Sequence, residues 1–224
     1  MPQMNFITDK NDLRDGEIFI DAHYGVREIE MTVLFDETGA DLFELKKWLG
    51  KKHQQIFNWD DDWDEKAIFA IENGNWKSQV YYGKPFYGRI NLKFICHNPY
   101  YFKLKDRDIT FANMVLNQDY AVKSKGNSDS LPLIKITPNT TKVVFKWNDL
   151  TITLNNLTIN NPIYLDCEKC QCYEMSNNIK TFTISKFTSN YAYEFPILLC
   201  DARNTLKVIE GSASFVISPC TRII

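Results

Sequence analysis

Hydrophobic positions along this chain recur mostly at every second residue. Ile29, Met31, Val33 and Phe35 alternate with polar neighbours, the period of a half-buried strand. Ile90, Leu92, Phe94 and Cys96 repeat the pattern, with Asn91, Lys93, Ile95 and His97 turned to the other face. Residues 18–20, 55–59, 67–73 and 76–81 read as further strands, because they are short, rich in β-branched or aromatic residues and bounded by Gly, Asn or Asp. Asn73-Gly74-Asn75 has hairpin-turn chemistry. One stretch breaks the period. Leu42, Leu45, Trp48 and Leu49 fall at helical spacing and predict an amphipathic helix over about residues 41–50, with Thr38 or Asp41 at its start and Gly50 after it.

The rhythm fades between Tyr101 and Ser130, where the chain turns polar, and this places a domain boundary near Gly126. The division gives domains over residues 1–125 and 126–224. Beyond it, strand signals return at sandwich-like spacing over 133–137, 142–147, 150–154, 163–166, 171–175, 195–200, 205–210 and 214–217. Eight short strands without a helix predict a jelly roll. The fold class is therefore mainly β: a first domain with one flanking helix, then a β-sandwich.

Composition narrows the function classes. With 224 residues, the chain is long enough for one large or two ordinary cores. Its 26 basic and 28 acidic residues are intermixed, which argues against a basic nucleic-acid footprint. No apolar run reaches the ~20 residues that cross a bilayer, and the first sixteen residues lack the apolar centre of a signal peptide. A soluble, intracellularly made protein with reduced thiols is expected.

Three features invite chemistry. Cys167, Cys170 and Cys172 include a C-x2-C pair that could feed zinc, but no second pair at similar spacing follows, so buried or edge thiols are the expectation. On a continuous strand, Cys170 and Cys172 would share a face opposite Cys167. The run Asp60-Asp61-Asp62-Trp63-Asp64-Glu65 lacks the glycine and helices of a calcium loop and reads as a solvated turn. His23, His53 and His97 are scattered, outside any nucleophile motif. The aromatic stretch 76–87, with Lys77 and Lys84, suits strand and interface packing better than stacking on sugars or bases. No catalytic, cofactor or metal residues are assigned.

An ordered series of short motifs carries a resemblance. It comprises the Arg14-Asp15-Gly16 turn, Tyr24-Gly25 followed by Arg27 and Ile29, and the helix residues Leu42, Leu45, Trp48 and Leu49. Ile56 and Phe57 before Asp60-Asp61 continue it, and Phe94, Cys96, Pro99 and Tyr100 close it. Residues 13–102 thereby resemble the distal tail proteins of long-tailed, non-contractile bacteriophages, the siphophage tail-component family. The opening of the second half, Pro132, Ile134 and Ile136, fits the galectin-like or carbohydrate-module-like sandwich that members often carry. The resemblance implies an N-terminal β-barrel domain whose copies form a homo-hexameric ring, or two rings back to back, at the tail tip. The ring would join the major tail tube protein to hub, baseplate and receptor-binding proteins, with DNA passing through its lumen unbound. It also implies a virion protein that needs no cofactor, no membrane and no enzymatic activity. Only thirteen residues precede Arg14, so the N-terminal belt between neighbours is expected to be short or differently supplied. A carbohydrate-binding sandwich displaying Trp147 or Tyr191 is the alternative, although residues 126–224 contain no histidine. A cell-wall hydrolase has no motif behind it.

Overall fold

A computed structural model describes residues 2–10, 17–36, 47, 50, 55–58, 66–72, 77–81, 87–112, 114–176, 179–191 and 194–224. The chain divides into two compact units, Met1–Tyr101 with Ile224, and Phe102–Ile223. The division falls well before Gly126. Residues 102–125 are polar in sequence yet contribute strands to the second unit.

The first unit holds β1 (Met4–Lys10), β2 (Glu17–Tyr24), β3 (Arg27–Asp36), β4 (Gln55–Asn58), β5 (Lys66–Glu72), β6 (Lys77–Tyr81) and β7 (Tyr87–Cys96). β7 is its axis. Along one edge it pairs antiparallel with all of β3, from Arg27↔Cys96 to Asp36↔Tyr87. Its other edge takes β5 (Ile71↔Ile95) and then β6 (Lys77↔Asn91), while β4 lies outside β5. β5 and β6 are both antiparallel to β7, so they run in the same direction. Asn73-Gly74-Asn75, where a hairpin turn is expected, lies outside the described residues.

The alternation read from sequence holds on these strands. Ile90, Leu92, Phe94 and Cys96 are all buried and form a small core with Ile68 and Ala70, against which Ile29, Met31, Val33 and Tyr101 pack. Polar positions take the opposite face, where Lys93 bridges Glu28 at 2.7 Å and Glu30 at 3.7 Å. Thr32 hydrogen-bonds Asn91 at 2.9 Å on the same face. The described pairings form an open sheet, and barrel closure is not among them. The helix expected over 41–50 lies outside the described residues except for Lys47, which is helical, and Gly50, in a turn. Leu42, Leu45, Trp48 and Leu49 all lie outside.

β8 (Tyr101–Lys103) straddles the division, and the second unit then holds β9 (Ile109–Phe111) and β10 (Tyr120–Val122). It continues through β11 (Leu133–Pro138), β12 (Val143–Trp147), β13 (Leu150–Leu154), β14 (Ile163–Asp166), β15 (Gln171–Ser176) and β16 (Ile179–Phe182). After a 3-10 turn at Ile184–Lys186 come β17 (Phe187–Ser189), β18 (Asn204–Glu210), β19 (Ala213–Ser218) and β20 (Arg222–Ile223). Two antiparallel sheets result, ordered β10-β18-β12-β13-β17 and β16-β15-β14-β11-β19-β9. Their inner faces share one core, and the edge-to-face contact of Phe145 (β12) with Phe215 (β19), 5.2 Å between centroids, crosses between them. The unit is a β-sandwich.

Seven of the eight strands expected here form. The exception is 195–200, which keeps only an isolated bridge from Leu198 to Ser130. Pro196 has no N–H to give a ladder, and side chains capture the next amides: Asn204 Oδ1 accepts from Leu199 N at 2.9 Å and Asp129 Oδ1 from Cys200 N at 2.8 Å. β9, β10, β16 and β17 are only three or four residues long, too short for an alternation to announce them in sequence.

Candidate assembly surfaces

β1 and β2 form a ribbon of their own, in register from Met4↔Tyr24 to Lys10↔Glu17 with an irregularity at Ile7/Thr8. The amide of Gly25 returns to Gln3 O at 2.8 Å. Neither strand pairs with a third among the described residues. Met4, Phe6 and Ile7 are exposed, Phe6 at 64%. An isolated two-stranded ribbon is marginal in water, and apolar side chains on it mark a surface that gains by being covered. The residues before Arg14 thus hold a strand, which their polar composition concealed.

β3 is the second open feature. It ends its sheet, its outer edge has no partner strand among the described residues, and Leu34 on it is 78% exposed. A ten-residue unpaired edge is a template for another strand.

At the start of β3, Arg27 is only 7% exposed. Its guanidinium carbon stands 4.3 Å from the centroid of the Tyr101 ring, a cation–π arrangement, and Cys96 lies opposite it in register. Its Nε and Nη2 are buried and have no hydrogen-bond partner among the described residues. Burying charged donors unpaired costs more than the ring contact returns. Arg27→Met keeps the packing of the stem and removes both orphans. It is expected to match or exceed the parent protein in a urea melt, and a loss above about 1 kcal/mol would show that the guanidinium is satisfied in solution.

The candidate chemistry of the sequence disperses. Cys96, Cys167 and Cys172 are buried, Cys200 and Cys220 partly so, and Cys170 is exposed. Cys170 and Cys172 therefore do not share an environment. The hairpin between β14 and β15 puts Cys170 at positive φ (50°), which breaks the strand alternation assumed for it. Burial holds the Cys167 thiol well above its usual range and raises Cys172 to about 11, so neither is poised as a thiolate ligand or nucleophile. No group of three His, Cys, Asp or Glu among the described residues is arranged to hold a metal. His23 and His97 are exposed on the surface, while His53 and the acidic run 60–65 lie outside the described residues. Trp147, expected as an exposed sugar platform, is 2% exposed in the sandwich core, and its Nε1 donates to Ile197 O at 2.7 Å. Tyr191 is exposed. No helix among the described residues is long and apolar enough to cross a membrane.

No protein-family model matches the sequence, and no curated protein matches it. Solved structures do. The SPP1 Dit (gp 19.1) protein, described as a paradigm of the hub adsorption apparatus in phages infecting Gram-positive hosts, superposes with a TM-score of 0.71 at 14% identity. The match covers 97% of this chain and 88% of that one. A chain of the phage P2 baseplate, in its activated conformation with Ca, gives a TM-score of 0.55 at 11% identity over 96% of this chain and 86% of that one. The same baseplate with Sr gives the same values. At such identities the likeness is one of fold, and over nearly its whole length this chain has the fold of a phage Dit protein.

Proposed function

We propose that this protein is a structural component of a phage tail tip, the distal tail protein that joins the tail tube to the hub and baseplate. The observation that carries the reading is the fold likeness to the SPP1 Dit protein across 97% of the chain. The ordered motifs of residues 13–102 support it independently of any superposition. In this reading six copies form a ring, singly or back to back, around the path of the DNA. The first unit builds the ring, with Leu42, Leu45, Trp48 and Leu49 as the packing face of a flanking helix. The second unit, read as a galectin-like sandwich, faces baseplate and receptor-binding proteins. The role is one of assembly rather than catalysis, located in the virion.

Two unfilled positions in the first unit favour a ring over a monomer. Among the described residues, the β1–β2 ribbon has no third strand and β3 has no outer neighbour. A surface that meets a different surface on the next copy gives a head-to-tail contact, which closes into a ring when the rotation permits. Light scattering and negative-stain images of the purified chain should therefore show six-membered rings. Phe6→Asp combined with Leu34→Asp should release monomers with an unchanged circular dichroism spectrum, since both side chains are exposed. A parent protein that stays monomeric at high concentration would sink the reading.

A further inference from the structure

Among the described residues, the two sheets of the sandwich have four outer strands, and three of them, β9, β10 and β17, are only three residues long. Short edges are one way proteins avoid unwanted pairing. The fourth, β16, is built differently. All four of its residues are exposed, with Ile179 at 69% and Phe182 at 63%, and Ile184 in the following turn is exposed at 43%. No proline interrupts it and its pairing with β15 is regular.

The main chain of β16 is set for a further strand. Thr183 N donates to Cys172 O at 2.9 Å, one step beyond the Tyr173↔Phe182 pair. In an antiparallel ladder bonded and non-bonded pairs alternate, so Thr181 and Ile179 bond to β15, while Lys180 and Phe182 turn their N–H and C=O groups to the free edge. Phe182 and Lys180 also share the outer face with Tyr173, whose ring lies 6.4 Å from that of Phe182 and 4.2 Å from Lys180 Nζ. Tyr164 stacks on Tyr173 from the next strand, 5.3 Å away with planes 5° apart, and stiffens the row. Neighbouring Lys186 is paired with Glu174, whereas Lys180 has no carboxylate partner among the described residues.

We propose that the free edge of β16 takes an added strand from a partner protein, an extended segment with apolar side chains beside Ile179 and Phe182 and a carboxylate beside Lys180. Alternating main-chain donors and acceptors at strand spacing are met by another strand, while a helix face or a glycan cannot follow them. The one charge on β16 selects an acidic segment. A second copy of β16 would bring another ammonium and no carboxylate. The edge lies wholly in the second unit and works whether or not the first unit forms rings.

The test uses the full chain as bait for a displayed library of short random peptides. Enriched sequences should alternate apolar and polar positions around an Asp or Glu, and the selected peptide should shift the amide resonances of residues 179–184. Lys180→Glu should weaken it about fivefold and Phe182→Asp about tenfold, while Lys146→Glu, on the other sheet, leaves binding unchanged. Absence of enrichment, resonance shifts confined to other residues, or equal binding to Lys180→Glu would each overturn the proposal. So would self-association abolished by Phe182→Asp, which assigns the edge to a second copy. Circular dichroism of each variant confirms that the sandwich is intact.

Discussion

Phe215→Ala is expected to lower the stability of the second unit by about 3–5 kcal/mol, the cost of truncating a large side chain in a core that cannot collapse around the gap. Phe215 is fully buried on β19 and meets Phe145 of the facing sheet edge to face, so the substitution removes both area and an oriented ring contact between the layers. Its strand is held on both sides, by β11 from Leu133↔Ser218 to Pro138↔Ala213 and by β9 at Phe215↔Phe111. That pairing leaves the backbone little room to close the cavity. A domain is typically stable by ~5–15 kcal/mol, so the loss is a large share, and the midpoint should fall by on the order of 15 °C. The first unit has a separate core, built on Ile90, Leu92 and Phe94. Calorimetry should therefore show only the transition of the sandwich moving. A midpoint unchanged within a few degrees would mean that the two sheets do not share one packed core.

Gly211→Ala should cost about 3 kcal/mol, for a reason unrelated to burial. Gly211 joins β18 to β19 at φ +81°, a conformation that costs an L residue about 1–2 kcal/mol. The added Cβ would also lie 2.2 Å from the carbonyl oxygen of Lys142 and 2.7 Å from Thr140 Oγ1. Those atoms belong to a small polar lock, in which Thr140 Oγ1 donates to Lys142 O at 2.7 Å and accepts from Ser212 N at 3.1 Å. Asn139 N donates to Ser212 O at 2.8 Å beside it. Making room for a methyl group breaks this lock and disturbs β12 where its register to β18 already shifts, between Val144 and Phe145. Hydrogen exchange should show early opening of β12 and β18 in the variant. Protection equal to the parent protein would show that the turn can be rebuilt at little cost.

These two positions differ in how plainly the sequence speaks of them. A Glu-Gly-Ser run between two apolar alternations already marks a turn at Gly211, and Phe215 already falls in phase with Ala213 and Ile217. The sequence does not show that Phe215 faces Phe145 or that Gly211 touches Lys142, because those partners lie about seventy positions away. Trp147 shows the same limit more sharply. Its place at the end of an alternating run fits either an exposed platform or a core residue, and the carbonyl of Ile197 that receives its indole N–H decides for the core. The surfaces argued to mediate assembly were also half legible. The alternation of β3 was plain, but that β3 ends a sheet, and that the polar residues before Arg14 hold a strand, depended on pairings no local pattern encodes.

The sequence alone determined the period-two faces of β3, β7, β11 and β13 and the turn positions between many strands. Side-chain alternation and turn stereochemistry are properties of a few adjacent residues. It also carried the ordered motifs that pointed to phage tails. Only the tertiary structure decided the strand order β10-β18-β12-β13-β17, the shared direction of β5 and β6 along β7, the scattering of Cys167, Cys170 and Cys172, and the division at Tyr101. Each of these depends on which distant segments pair. That choice is set by the burial shared between them against the entropy of closing the loop, a balance that no single stretch of sequence contains.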